Sequence, residues 1–367
     1  REIYQIANYC RKNKIELTIF MQKPKRRIKV LADIKTGKFV KVVKIKSKYS
    51  IEIYPGIFLG IDPKISKQLR DEFEKNNFDV ILLPTIGPFG IRGIKLSKEF
   101  KIPCVVFYNT DLQGCVHSYS KKIIKTEVFD EISKNILWSI MKYFFENSSL
   151  ILVKNKETKK ELSRQIETPV EIFSSGIDPL EFSPNFRKKH KKIRLIYVGR
   201  LSEEKNLDFL AEILNNEILP KYKNLEVWIV GDGPKKEELK KKLKAKYTGF
   251  LTGRKLSEVL ASADIFLFPS KTETFGLVVL EAMASGLPVV AFNTLGPNEI
   301  IKNEKTGFLC NNDKEFVEKV KFLIENSKER ETMGKMAYEE GIKHTWDEIV
   351  EKLMKNIEKL VSKNSTT

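Results

Sequence analysis

The chain has 367 residues and a hydrophobic content of 41%, which is typical of a soluble globular protein with room for two domains. No run of about 18 apolar residues occurs, so the sequence predicts no membrane-spanning helix. The scattered cysteines lack metal-ligand spacing and indicate reduced thiols of a cytoplasmic protein, not a disulfide framework; they are Cys10, Cys104, Cys115 and Cys310.

The net charge of +18 is concentrated in the first half of the chain. Residues 1–192 contain 38 Lys and Arg against 21 Asp and Glu, whereas residues 193–367 contain 28 against 27. Much of the excess lies between residues 23 and 48. This asymmetry indicates a polyanionic partner, either nucleic acid or an anionic membrane surface, and the near-neutral second half argues against a general lysine bias. Since no nucleic-acid motif occurs, we expect a membrane surface and no nucleic acid.

The first residues lack the usual beginning of a doubly wound domain. Residues 2–11 have a helical pattern and residues 15–20 have the pattern of a strand. Such a domain normally begins with its central strand and a Gly-rich turn, and without that strand the sheet would contain unpaired backbone groups. We therefore expect about 20–30 further residues upstream of Arg1, given ordinary strand and loop lengths.

Strand and helix patterns alternate through the rest of the first half. Apolar and basic residues alternate over residues 38–48, which predicts a strand with one solvated face. Buried parallel strands are predicted at residues 78–84, 103–108, 150–153 and 170–173. Helical segments between the strands complete a parallel sheet covered on both faces.

A wide apolar stripe runs along residues 121–145, with apolar residues at every fourth position. The stripe carries Trp138 and is flanked by lysines, so it suits either a core helix or a helix on a membrane surface. Core packing is the default for most of the segment, and contact of one part with lipid stays open because residues 23–48 are so basic.

The second half begins after a charged stretch at residues 184–192, which is typical of a linker. Alternation then repeats, and an amphipathic tail follows from residue 346 to residue 360. Strands are predicted at residues 195–198, 226–230, 249–251, 265–268 and 289–292. Two Rossmann-like domains follow from this pattern, with the site near their strand ends.

Two carboxylates eight residues apart, Glu273 and Glu281, lie within residues 269–288. Glu273 follows an apolar strand and belongs to a strand-to-helix loop, whereas Glu281 lies about two turns into the next helix. The loop and helix can hold a sugar, a phosphate and a ribose in a line; the alternative is a solvated acidic loop beside a buried helix. Backbone N–H groups that begin the helix point toward a bound anion, those of Phe275, Gly276 and Leu277.

Two cations and two glycines follow earlier strand ends. Arg200 comes directly after an apolar strand and Lys205 approaches the next helix. The two cations can therefore bracket a diphosphate and offset the negative charge that develops on it as a sugar leaves. An ordinary exposed pair is the alternative. Gly231 and Gly233 permit close approach of the backbone to a nucleotide, although Gly-Asp-Gly is equally a tight turn.

The segments 198–206, 230–234 and 269–288 resemble, in order and spacing, three motifs of the retaining GT-B glycosyltransferases, which are family 4-like and also known as glycosyl transferases group 1. Residues from about 193 to 346 fit the second domain of that family. The resemblance implies an α/β fold with two Rossmann-like, doubly wound domains that face each other across a cleft. It also implies the domain limits: an acceptor-side domain at residues 1–186, a nucleotide-sugar domain at 187–345, and a helix at 346–361 that returns to the first domain.

The resemblance also implies roles for the residues that match its motifs. Arg200 and Lys205 would bind the donor diphosphate, Glu281 the ribose hydroxyls, and Glu273 the transferred sugar. The sugar would keep its anomeric configuration through a front-face substitution, in which the leaving phosphate helps to deprotonate the acceptor. The family implies no metal and no cofactor, with a UDP- or GDP-sugar as donor. Further donor contacts would come from Gly231, Phe275, Gly276 and Leu277.

The acceptor side is implied by residues 108–119, which are similar to the matching stretch of enzymes that glycosylate diacylglycerol. Asn109 stands where the family commonly has His, and Asn hydrogen-bonds a hydroxyl but does not titrate near neutral pH. Asp111 and His117 are the other candidates, although a lone His is more often incidental.

The sequence therefore predicts a retaining hexosyltransferase that acts on a membrane lipid at the cytoplasmic face. Synthesis of a polysaccharide or a lipid-linked oligosaccharide is the alternative acceptor chemistry. A catalytically weak sugar-nucleotide-binding protein is the alternative from another class, suggested by Asn109. A nucleotide-dependent dehydrogenase fits less well because residues 199–206 lack G-x-G-x-x-G.

Overall fold

The chain forms two compact units in the computed structural model, which describes residues 2–22, 34–45, 50–54, 57–60, 64–108, 127–273 and 275–364. Described residues up to 108, 131–173 and 347–364 belong to the first unit, and residues 127–130 and 174–346 to the second. The second unit begins before the charged stretch at 184–192 because Ile177 pairs with Thr345 and Phe182 is fully buried in its core.

Helices and strands alternate in the first half, as the sequence predicts. They are α1 (Glu2–Lys12), β1 (Leu17–Gln22), β2 (Val40–Ile45), β3 (Ser50–Tyr54), β4 (Ile57–Gly60), α2 (Lys64–Lys75), β5 (Ile81–Leu83), α3 (Pro88–Phe100), β6 (Cys104–Tyr108), α4 (Glu127–Glu146), β7 (Leu150–Val153), α5 (Lys156–Gln165) and β8 (Val170–Ile172). Local chemistry sets several limits: α3 starts with a proline, whose fixed φ suits the first helical position, and the Asn155 side chain caps α5 by accepting from the Thr158 N–H at 2.8 Å.

The described strands of the first half form three sheets. β5, β6, β7 and β8 lie side by side in a parallel sheet, and β1 and β2 form a separate parallel pair. The solvated strand predicted over residues 38–48 is confirmed for Val40–Ile45, where Lys41 and Lys44 are exposed between buried Val40 and Ile45; residues 46–48 lie outside the described residues. β3 and β4 form an antiparallel pair that the sequence analysis did not identify.

A six-stranded parallel sheet organises the second unit, in the order β11-β10-β9-β12-β13-β14. Alternate side chains of β9 enter two cores, with Leu195 and Tyr197 on one face and Ile196 and Val198 on the other. The elements are β9 (Ile193–Val198), α6 (Leu207–Ile213), β10 (Leu225–Val230), α7 (Lys236–Lys242), β11 (Lys246–Gly249), α8 (Gly253–Ala261), β12 (Ile265–Phe268), α9 (Leu277–Ala284), β13 (Val289–Phe292), α10 (Leu295–Ile300), β14 (Gly307–Cys310), α11 (Asp313–Glu325) and α12 (Ser327–Gly341). The predicted parallel, doubly wound α/β architecture is therefore confirmed.

The last helix, α13 (Trp346–Asn364), lies with the first unit from Asp347 onward. Lys12 Nζ is 2.7 Å from Asp347 Oδ2, and Asn364 Nδ2 donates a hydrogen bond to the Lys101 carbonyl at 2.9 Å. Among the described residues, the helices lack the combination of length and apolar character that crossing a bilayer requires.

Candidate functional site

The site of the second unit is set by the order of its strands. β9 lies between β10 and β12. After β9 the chain adds β10 and β11 on one side of that strand, and then crosses to add β12, β13 and β14 on the other side. In open parallel sheets, ligands bind at such a switch point, beyond the carboxyl ends of the two strands. The loops that follow β9 and β12 carry the predicted donor residues Arg200, Lys205 and Glu273, so the topology brings these side chains to one edge of the sheet.

The loop after β9 is held by backbone hydrogen bonds on one side and by a tyrosine below. Leu201 N–H donates to the Asp232 carbonyl at 3.0 Å, and the Leu201 carbonyl accepts from the Lys235 N–H at 2.9 Å. Tyr197 Oη donates to the Arg200 carbonyl at 2.9 Å. The Arg200 side chain itself is exposed, so a fixed backbone presents a solvent-accessible cation.

Lys205 and Glu273 form an ion pair across the two loops. Lys205 Nζ is 2.8 Å from Glu273 Oε2, and the side chains are 18% and 20% exposed. Lys205 ends a short 3₁₀ turn, and Asn206 then takes a left-handed conformation (φ 54°) before α6. Because partly buried charges need a partner, each side chain fixes the other.

The loop that carries Glu273 is tied to its surroundings at several points. Ser270 Oγ lies 3.3 Å from the Glu204 carbonyl, which joins the β12 loop to the β9 loop. Gly296 N–H donates to the Glu273 carbonyl at 2.9 Å. A Cβ on Gly296 would lie 2.5 Å from the carbonyl carbon and oxygen of Phe275, so only glycine allows this close approach. Thr274 lies outside the described residues.

The start of α9 lies where the sequence predicts a row of backbone N–H groups, whose role toward an anion stays a prediction. Gly276 has a left-handed conformation (φ 86°) and precedes Leu277, the first residue of the helix. Within the described part of the chain, the first backbone bonds of this helix run from Val279 and Leu280 to the Gly276 carbonyl. The Phe275 side chain is buried in the core, so its candidate contribution to a ligand is its N–H group.

Glu281 lies in the second turn of α9 and is 1% exposed, which makes it the most buried carboxylate of the candidate site. The surrounding residues of the helix are apolar core residues. A carboxylate buried to this degree is stabilised by polar partners, and Glu281 has such interactions in the structure. Glu281 and Glu273 therefore differ sharply in environment although they belong to one motif.

Gly231 and Gly233 allow the β10 loop to cross the β9 loop. Gly231 has φ 141°, and a Cβ there would lie 1.8 Å from the Gly199 carbonyl oxygen. A Cβ on Gly233 would lie 2.4 Å from the Leu201 carbonyl oxygen. Contact between two loops thus explains both glycines, in addition to any approach of a nucleotide.

Three residues of this region escaped the sequence analysis. Tyr197 lies in an apolar strand, and Gly296 follows β13, a strand to which no motif was assigned. Thr294 Oγ1 is buried, and among the described residues it has no hydrogen-bond partner. The signal for the last two was the polar Asn-Thr-Leu-Gly-Pro run directly after an apolar strand.

The predicted acceptor-side residues Asn109, Asp111 and His117 lie outside the described residues, and their roles stay predictions. Tyr108, which ends β6, is the last described residue before them. In the part of the chain that the structure describes, His, Cys, Asp and Glu side chains do not gather in groups of three or more suited to a metal ion.

Comparison with solved structures assigns the fold to the GT-B class of glycosyltransferases. Sucrose-phosphate synthase from Thermosynechococcus elongatus superposes with a TM-score of 0.77 at 17% identity, covering 98% of this chain and 92% of that one. WaaG, a glycosyltransferase involved in lipopolysaccharide biosynthesis, superposes with a TM-score of 0.69 at 16% identity, covering 97% and 95%. The predicted GT-B fold is confirmed, and at these identities the likeness concerns the fold alone.

Family models match consecutive parts of the chain. Glycosyltransferase Family 4 matches residues 1–180, and Glycosyl transferases group 1 matches residues 180–340. The chain belongs to this family of glycosyltransferases, as its motifs predict.

Its curated relatives are glycosyltransferases with several substrates. Sulfoquinovosyl transferase SQD2 of Arabidopsis thaliana is 33% identical over 77% of this chain, which spans 57% of that protein. A GDP-mannose-dependent alpha-mannosyltransferase of Mycolicibacterium smegmatis is 26% identical over 84% of this chain and 77% of that protein. The alpha-monoglucosyldiacylglycerol synthase of Acholeplasma laidlawii is 26% identical over 74% of this chain and 73% of that protein.

Proposed function

We propose that the chain transfers a hexose from a nucleotide-diphosphate sugar to a membrane lipid of the diacylglycerol type, with retention of anomeric configuration. The observation that carries this proposal is the Lys205–Glu273 pair at the switch point of the sheet, whose lysine shares the loop after β9 with Arg200. One cation suited to the leaving diphosphate and one carboxylate suited to the sugar lie within hydrogen-bond distance of each other.

The donor diphosphate is the natural ligand of the positive groups at this edge. Arg200 and Lys205 supply charge, and the amides of Phe275, Gly276 and Leu277 supply donors at the start of α9. As the bond from the sugar to the phosphate breaks, negative charge grows on the diphosphate, and fixed donors and cations stabilise it. This charge balance needs no metal ion. Glu281 binds the ribose hydroxyls, and the backbone of Gly231 contacts the nucleotide.

Binding of the donor rearranges the Lys205–Glu273 pair. In the structure, Lys205 Nζ neutralises Glu273. A diphosphate carries more charge than one carboxylate and draws Lys205 toward itself, which frees Glu273 to accept hydrogen bonds from the sugar. The pair thereby keeps the site nearly neutral before the donor arrives.

The transfer step takes place on one face of the sugar. The bond from the anomeric carbon to the phosphate oxygen breaks while the acceptor hydroxyl oxygen bonds to the same carbon from the same side. The acceptor proton passes to the departing phosphate oxygen. Glu273 orients the sugar and stabilises the positive charge that develops at its ring.

Charge and exposure support a lipid acceptor at the cytoplasmic face of an anionic membrane. Nearly all of the excess positive charge lies in residues 1–192. On α4, Met141 and Phe144 are buried, whereas Ile136, Ile140 and Tyr143 are exposed on another side of the helix, at spacings of four and three. An exposed apolar stripe on a basic unit is typical of a surface that lies on lipid. A relative named as an alpha-monoglucosyldiacylglycerol synthase is consistent with this acceptor.

The test is a transfer assay with the full natural chain. UDP- and GDP-sugars are supplied with and without diacylglycerol in anionic vesicles, and nucleotide release and glycolipid formation are followed, with NMR of the product's anomeric proton. Release that rises with the lipid and an unchanged anomeric configuration support the proposal. Release that rises only with a soluble glycan or a lipid-linked oligosaccharide moves the acceptor to that class. Absence of release from every donor contradicts the proposed transfer and favours a sugar-nucleotide-binding protein.

A further inference from the structure

Tyr197 is a core residue whose hydroxyl reaches the donor edge of the sheet. It lies in β9 with 1% of its surface exposed, in the core cluster that also contains Leu195, Leu201 and Leu207. Its Oη donates to the Arg200 carbonyl at 2.9 Å. A buried aromatic ring thus ends in a polar group directly beneath the loop that carries the candidate diphosphate cation.

The loop lies so close to this ring that a side chain larger than that of glycine does not fit at position 199. A Cβ on Gly199 would lie 2.5 Å from Tyr197 Oη and 3.0 Å from its Cζ. Glycine at position 199 is therefore explained by the tyrosine below it. The height of the backbone at residues 199–200 is set by direct contact with Tyr197.

The electrostatic surroundings keep the hydroxyl a donor. Burial raises the pKa of Tyr197, and the carboxylates of Glu273 and Glu204 raise it further. These two carboxylates belong to the same edge, because Lys205 pairs with Glu273 and the Glu204 carbonyl lies 3.3 Å from Ser270 Oγ. The phenol stays protonated and remains available to the Arg200 carbonyl.

We propose that Tyr197 is a positioning residue for the donor diphosphate, which it serves by fixing the backbone of Gly199 and Arg200 from below. The inference rests on the proposed function, because a role for Tyr197 in diphosphate binding requires that the loop above it binds the donor. Without the hydroxyl, the Arg200 carbonyl loses a fixed donor and the loop samples other positions. The apparent affinity for a diphosphate then falls in proportion to the fraction of molecules whose loop is still in the binding conformation.

A matched control is provided by a second tyrosine of the same unit. Tyr247 Oη also bonds to backbone carbonyls, those of Leu239 and Leu243, at 3.1 and 3.0 Å, and its ring packs against the same core. Y247F therefore removes a comparable hydroxyl away from the donor edge. Binding of UDP and GDP, and of the matching monophosphates, is measured by calorimetry for the wild type, Y197F and Y247F, with thermal unfolding of each.

Y197F is expected to bind the diphosphate about tenfold more weakly and the monophosphate within about twofold of the wild type, whereas Y247F keeps both affinities. In the R200A background, Y197F is expected to have no further effect, because the tyrosine acts through that loop. Wild-type diphosphate affinity in Y197F, or an equal loss in Y247F, overturns the inference alone. A wild-type protein that binds neither UDP nor GDP overturns the proposed function, and the role of Tyr197 with it.

Discussion

At the scale of single residues, Lys205 and Glu273 decide how the candidate site is charged. Their 2.8 Å contact occurs where about four fifths of each side chain is covered, so neither charge is well hydrated alone. Removal of one partner leaves the other partly buried without compensation, which costs more than the loss of an exposed pair. Substitutions at the two positions should therefore have large and different effects.

We expect K205A to raise the KM for the donor about tenfold or more, because the diphosphate loses a charged partner. E273A should lower kcat by about 10²-fold while the donor KM changes little, since its carboxylate acts on the sugar in the transition state. Steady-state kinetics with the identified donor separates the two effects. K271A is the control, because Lys271 lies in the same strand-to-helix loop but pairs at the surface with Asp313. The reverse pattern, with KM altered in E273A and kcat in K205A, would contradict these roles.

The sequence identified both residues but not their contact. They lie 68 positions apart, and only the adjacency of β9 and β12 brings them together. Tyr197 illustrates the opposite case. Its strand has the ordinary apolar pattern of a core, and a pattern of apolar residues does not reveal that one hydroxyl reaches a loop carbonyl.

At the scale of elements, the crossing of two strand-end loops organises the donor edge. Gly199 follows β9 and Gly231 follows β10, and the second passes over the carbonyl of the first. The parallel pairing of these strands leaves no room for a side chain at the crossing. Gly231 is therefore constrained by both its backbone conformation and its neighbour.

We expect G231A to lower the free energy of unfolding by about 2–4 kcal/mol, because alanine is strained at φ 141° and its Cβ would lie 1.8 Å from the Gly199 carbonyl oxygen. G37A is the control, since a Cβ there meets nothing within 4 Å. Urea denaturation followed by circular dichroism measures both variants. A G231A protein as stable as G37A would show that the two loops do not cross in this way.

A buried thiol in a second element, Cys104 of β6, should make the stability of the fold depend on pH. Burial raises the pKa of the Cys104 thiol to about 12, and the residue is fully buried at the start of that strand. Below the unfolded pKa of 9.0, the thiol is protonated in both states and its contribution is fully present. As pH rises from 9 toward 12, the unfolded state loses a proton that the folded state keeps, and stability falls.

We expect the stability of the wild type to fall more steeply than that of C104A above pH 9, by up to about 1.4 kcal/mol per pH unit. Urea denaturation at pH 8, 9, 10 and 10.5 measures this difference. C104A is expected to be less stable at pH 8, because alanine leaves a small cavity, and the gap should narrow as pH rises. Parallel curves for the two proteins would mean that the buried thiol does not titrate as described.

Element types followed from sequence where a segment was uniformly apolar, as in the four-residue strands β7, β12 and β13, and failed where glycine or polar residues interrupted it. β14 is a four-residue strand that begins with glycine, and a Cβ on Gly307 would lie 2.4 Å from the Val289 carbonyl oxygen. Such a segment has no periodicity to detect, so only the neighbouring β13 identifies it as a strand. The predicted strand at 249–251 was displaced for a similar reason, because β11 covers Lys246–Gly249 at the sheet edge.

At the scale of the whole molecule, the two halves differ in charge more than in architecture. Both contain a parallel sheet with interleaved helices, yet residues 1–192 hold almost the entire excess of Lys and Arg. Fold alone does not require this difference. The start of the main part of the second unit at residue 174 was also beyond sequence analysis, because it depends on where Ile177 pairs and where Phe182 packs. The distribution of charge, in contrast, could be counted directly from the sequence.

We expect the protein to sediment with anionic vesicles and to be released as salt rises, because at about 1 M salt the screening length falls to about 3 Å. I140E should weaken vesicle binding about tenfold, since it places a charge on the exposed apolar stripe of α4 and removes an insertable side chain. M336E is the matched control: Met336 is 38% exposed, close to the 43% of Ile140, and belongs to the second unit. An equal loss of vesicle binding in both variants would mean that the change in net charge, and not the apolar stripe of α4, causes the effect. Binding that is absent, or unchanged by salt, would remove the membrane from the proposal and leave the transferase with a soluble acceptor.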